Sequence, residues 1–104
     1  MTSKDNSKAA LIDSLNGLLA DTLALYVKTK NFHWHVRGPQ FRSLHLLFDE
    51  QAAEIFALTD MIAERVRKLG GTTLTSIGSI AAKTTIKNQD DTGLDAMAMV
   101  KELF

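Results

Sequence analysis

From Gln40 to Leu69 the chain reads QFRSLHLLFDEQAAEIFALTDMIAERVRKL, and this stretch decides the fold. Its apolar residues Leu44, Phe48, Ile55, Ile62, Val66 and Leu69 recur at steps of three, four and seven, the period of one helix face. Arg65, Arg67 and Lys68 fall in the last turn, where cations complement the helix dipole. Gly70-Gly71 then supplies a C-terminal cap. The spacing predicts one long helix over these residues.

Upstream, Leu11, Leu15, Leu18, Thr22, Leu25 and Thr29 recur at three- and four-residue steps, with Asn16, Lys28 and Lys30 on the opposite side. They predict a first helix from about Ser7 to Val36. Gly38-Pro39 ends it, because proline disfavours helix in the residue before it. Two long helices with a short link make an antiparallel hairpin. Downstream, residues 72–89 are small and polar, with an apolar patch at Ile77, Ile80 and Ala81. A short helix over about 75–82 is expected there, inside a crossover. A third helix opens near Thr92, where Thr92-Gly93-Leu94-Asp95 fits a capping box. Leu94, Met97, Val100 and Phe104 then share one face. The pattern stops in mid-face at Leu103-Phe104, as expected of the front portion of a longer protein. The domain is placed at 9–104, behind a flexible tail at 1–8.

Composition excludes several classes. The chain has 104 residues, room for one domain. It is 45% hydrophobic with a single proline, which suits packed helices. Twelve basic and 12 acidic residues balance, so the basic footprint of a nucleic-acid binder is missing. There is no cysteine, hence no disulfide and no thiolate metal site. Asp13 and Asp21 interrupt the apolar run from Ala9 to Val27, so no membrane span is expected.

The residues that carry chemistry are His33, His45, Asp49, Asp60 and Glu64. Two imidazoles and three carboxylates suit a borderline-to-hard redox metal such as iron. On a helix over 40–69, steps of about 100° place His45, Asp49, Asp60 and Glu64 on one face. Yet His45 and Asp60 are roughly 22 Å apart along the axis at 1.5 Å per residue, whereas metal–ligand bonds are about 2 Å long. One ion cannot take ligands from both ends of this helix. The chain carries two half-sites, and a two-fold symmetric copy is the simplest way to join them. Singly, each residue has a plainer role. His33 reads as a satisfied helix-end histidine, His45 and Asp49 as an i,i+4 pair, and Asp60 and Glu64 as a solvated acidic edge. His35 lies about 200° from His33 and reads as surface. Phe32 and Trp34 read as packing residues, and Met61, Met97 and Met99 as core or interface filler.

The local sequence separates these readings. His33-Trp34-His35-Val36-Arg37-Gly38, then Phe41, then His45-Leu46-Leu47-Phe48-Asp49 closely resembles the signature of the Dps family, ferritin-like proteins of starved bacteria. Asp60 and Glu64 match the family's second-helix acids, and Met61-Ile62-Ala63-Glu64-Arg65 with Leu69-Gly70-Gly71 resembles the family's helix end. The resemblance covers about Ala9 to Phe104.

The resemblance implies an all-α, ferritin-like four-helix bundle with a short helix in the crossover, here stopping inside the third long helix. It implies a ferroxidase that oxidises Fe(II), preferably with hydrogen peroxide, and stores ferric mineral in a hollow dodecameric shell, which protects DNA. The implied metal is iron, at a di-iron site shared across the two-fold. His33, His45 and Asp49 of one subunit face Asp60 and Glu64 of another. Asp60 and Glu64 anchor the first ion with one histidine; Asp49 and the other histidine hold a second, weaker one. Trp34 is placed to relay an electron. A bacterial cytoplasm is the implied compartment, with nucleoid association for members that bind DNA. The competing function is nucleoid compaction with secondary iron chemistry. Here the tail holds only Lys4 and Lys8 beside Asp5, so DNA contact is expected to be weak at physiological salt.

Overall fold

The computed structural model describes residues 3–39 and 41–104. It consists of α1 (Ser3–His35), α2 (Phe41–Lys68), a short α3 (Ile77–Lys83) and α4 (Ala96–Leu103). Residues 3–8, expected within a flexible tail, are helical. Residues 1 and 2 lie outside the described residues, as does Gln40, the expected start of the second helix.

α1 and α2 form the expected antiparallel hairpin. Phe32 meets Phe48, Tyr26 meets Phe56, and Gly71 meets Ile12, so residues of ascending number on α1 face residues of descending number beyond it. Gly70, at φ +85°, closes α2. Its N–H reaches the carbonyl of Arg67 at 3.0 Å, and that of Gly71 reaches Val66 at 3.0 Å, a Schellman cap. The chain then runs back up along α1. Asn16 donates to the carbonyl of Thr72, Lys28 to that of Lys87, Asn31 to that of Gln89 and Arg37 to that of Gly93. Lys83 pairs with Asp13, and Asp21 accepts from Thr84 and Thr85. Lys28 is therefore tied to the crossover and not solvated.

The core sits at the upper end of the hairpin. Phe32, Val36, Phe48 and Met99 are buried together, with Leu44, Leu94, Val100 and Leu103 against them. Three expectations change here. Met99 is buried while Met97 is 61% and Phe104 74% exposed, so the buried face of α4 is turned from the expected one. The N-cap of α4 is Asp95, whose carboxylate accepts from the Ala98 N–H at 2.9 Å. Thr92-Gly93 instead forms a turn held by the Asp91 carboxylate. On α1, Thr22 and Thr29 are buried as expected, but Leu11 and Leu18 are exposed, because α2 meets the neighbouring arc at Leu19, Ala20 and Phe32. Asn6–His35 is long and apolar enough, by length and composition alone, to cross a membrane, although Asp13 and Asp21 lie within it. Both of those acids are bonded to the crossover.

Candidate metal centre

The end of α1 and the start of α2 hold the first half-site. Both histidines are partly buried, and their rings stack with centroids 3.8 Å apart. Phe41 stacks on the far side of His45 at 4.9 Å. His33 Nδ1 lies 2.6 Å from the carbonyl oxygen of His45, and His45 Nδ1 lies 2.7 Å from that of His33. A carbonyl oxygen only accepts, so each Nδ1 carries the proton and each Nε2 keeps its lone pair in the neutral ring. This is the tautomer a metal-ligating histidine uses, with its other nitrogen fixed by a hydrogen bond. His35, read as surface, is exposed and turns back to Asn31.

Asp49 stands one turn beyond His45. Its Oδ1 is 3.8 Å from His33 Nε2 and accepts a 2.8 Å hydrogen bond from Lys30 Nζ. That bond holds the Asp49 carboxyl below its ordinary value, opposed by partial desolvation and helped by the charge of Lys30 and the nearby imidazoles. The same bond pushes Lys30 up. The ammonium also lies 5.8 Å from the centroid of Trp34, which is 62% exposed and so is not the packing residue expected. Phe32, by contrast, is fully buried.

The second half-site is at the other end of α2. Asp60 and Glu64 are exposed and bonded in no ion pair with a described residue. Asp60 borders a depression lined by Leu19, Phe56 and Thr73; Glu64 borders another with Leu15 and Met61. Arg67, a candidate counter-charge, instead donates to the Gly71 carbonyl at 2.8 Å. The structure thus brings His33, His45 and Asp49 together and leaves Asp60 and Glu64 apart from them. Among the described residues no three His, Asp or Glu side chains gather closely enough to hold an ion.

The ferritin-like domain family model matches residues 12–104. The DNA protection during starvation protein 1 of Deinococcus radiodurans is 42% identical over 91 residues, which covers 88% of this chain and 44% of that protein. The crystal structure of Dps from Thermosynechococcus elongatus superposes with a TM-score of 0.93 at 30% identity, covering 98% of this chain and 64% of that one. The chain belongs to the Dps family of ferritin-like proteins. Dps from Vibrio cholerae, described as a member of a broad superfamily of ferritin-like diiron-carboxylate proteins, superposes with a TM-score of 0.88 at 28% identity, over 94% of this chain and 61% of that one. The present Dps-family chain spans about half the length of the curated relatives it matches.

Sequence reading missed Lys30 in this Dps-family site, placing it on the outer side of the first helix. The signal was there: Lys30, His33 and Trp34 stand at i, i+3 and i+4, one face of one turn.

Proposed function

We propose that this chain is a ferroxidase subunit: it binds Fe(II), oxidises it with hydrogen peroxide in preference to dioxygen, and in the assembled shell stores the ferric product as mineral. The observation that carries this is the histidine pair, whose two Nδ1–H groups are spent on each other's backbone so that both Nε2 lone pairs stay free near Asp49. Substrate iron is then held by His33, His45 and Asp49 of one copy and by Asp60 and Glu64 of a second. Few protein ligands leave coordination positions open for an oxidant. Carboxylates favour the harder Fe(III) as it forms. Two Fe(II) each give up one electron, the O–O bond of peroxide breaks, and two hydroxides result. Consuming both reagents protects DNA chemically. A cytoplasmic location accompanies this reading.

The second copy has a definite place. Joining His45 to its Glu64 and Asp49 to its Asp60 gives both pairs the same midpoint, between Glu54 and Ile55. An antiparallel two-fold across the middle of α2 supports both contacts at once. On that face Ala53 and Ala57 are exposed and Phe56 is 53% exposed, apolar surface suited to a partner helix. Ile77 of α3, 82% exposed, lines a groove with Phe56 and Tyr26.

The deciding experiment replaces Asp60→Asn together with Glu64→Gln. Tight iron binding and peroxide-driven Fe(II) oxidation are expected to vanish with helix content unchanged by circular dichroism. Oxidation at the unaltered rate, or by a preparation shown to be monomeric by light scattering, would refute the shared site.

A further inference from the structure

We infer that Lys30 occupies the place of the weaker of the two ions and sets the order in which the half-sites fill. The inference rests on the metal-centre reading above. Lys30 Nζ bonds Asp49 Oδ1 at 2.8 Å, and that same oxygen is 3.8 Å from His33 Nε2, the ring nitrogen with the free lone pair. A divalent ion held by Asp49 and His33 together sits about 2 Å from each. It falls within the space between these two atoms, beside the oxygen that the ammonium now uses. Two cations sharing one carboxylate oxygen at such separations repel. Loading an ion at Asp49 therefore expels Lys30. Asp60 and Glu64 have no ion-paired lysine or arginine among the described residues, so an ion anchored there displaces nothing. The Asp60–Glu64 ion binds first and tightly; the Asp49 ion binds second and weakly.

Lys30 stays an ammonium throughout. Its four-carbon stem is flexible, and it leaves by swinging rather than by losing a proton. Its position over Trp34, the chain's single tryptophan, makes the movement visible. Lysine has the right character for a displaceable occupant: a compact point charge, without the two-pronged grip of a guanidinium on a carboxylate.

The test uses the full chain with Zn(II) as a redox-inert probe, titrated by calorimetry while Trp34 emission is followed. The unaltered protein is expected to show a tight phase with little change in emission, then a weak phase that shifts it. Lys30→Gln is expected to tighten the weak phase by about fivefold, the scale of an exposed ion pair, to leave the tight phase alone and to lose the weak-phase emission shift. Lys30→Arg keeps a cation at Asp49 and is expected to keep the phase weak. A weak phase unchanged or further weakened in Lys30→Gln overturns the inference. The outcome is separable from failure of the centre itself: if Asp60→Asn with Glu64→Gln spares the tight phase, the centre is wrong; if it removes that phase while Lys30→Gln changes nothing, the centre stands and the role of Lys30 falls.

Discussion

His33 and His45 each give their Nδ1 proton to the other's backbone carbonyl, at 2.6 and 2.7 Å. The clasp joins the end of α1 to the start of α2 and fixes both rings with the same two bonds. Neither imidazole turns without breaking a contact between helices. Stability and ligand geometry are thus coupled at this point, and substitution can separate them.

His45→Asn is expected to do so. The asparagine amide nitrogen takes the place of Nδ1 and keeps the bond to the His33 carbonyl, but nothing replaces Nε2. Thermal stability is expected to stay close to that of the parent, while the tight binding of Zn(II) is weakened. His45→Ala loses both, at a cost of about 1 kcal/mol for the missing hydrogen bond. Calorimetry and thermal melts of the two variants side by side check this; equal stability of the two would show that the clasp contributes nothing.

Asp21 predicts an acid limb. The Thr85 N–H, at 2.7 Å, is the main cause that holds its carboxyl below the ordinary 3.8, partly opposed by desolvation and aided by the Thr84 and Thr85 hydroxyls. A depressed folded value means the stabilisation is present above 3.8 and is lost as pH falls through the lower folded value. Asp49 adds to the loss in the same direction. Urea midpoints between about pH 6 and pH 2 are expected to fall at the acid end. Asp21→Asn should flatten that fall, and an unaltered slope would show that Asp21 is not its source.

Gly71 sits where a β-carbon would lie 2.7 Å from Cγ2 and 2.9 Å from Cδ1 of Ile12. Gly71→Ala is expected to destabilise by roughly 1–3 kcal/mol, the range for forcing extra volume into a packed contact. Adding Ile12→Ala should recover part of the loss. Denaturant melts of the single and double variants measure this coupling; purely additive losses would mean the two residues do not press on each other.

The two-fold axis between Glu54 and Ile55 is open to chemical test because the chain has no cysteine of its own. Phe56→Cys is expected to cross-link efficiently to a second copy with a short bismaleimide. Leu47→Cys, about 180° away round α2, is expected not to. The reverse pattern would place the second copy on the other face.

The sequence by itself determined the two long helices, the turn at Gly38-Pro39, the cap at Gly70-Gly71 and the division of five candidate ligands into two half-sites. All of these follow from spacing along one chain, because helix rise and period are local and fixed. The capping box at Ser76 and Ser79 of α3 was equally local, but a Ser–Ser pair is a weaker signal than the usual Ser–Glu. Only the tertiary structure decided that Met99 and not Met97 is buried, that Asp95 and not Thr92 caps α4, that Lys28 is held by the crossover and that Lys30 stands at Asp49. It also decided which nitrogen of each histidine is free. The physical reason is common to all of these. Periodicity gives the arc of a helix that is apolar, but the arc that meets a neighbour depends on how helices cross and on hydrogen bonds between residues far apart in the chain. His33 and His45, 12 residues apart, show it most directly: their presence was legible, and the clasp that aims them was not.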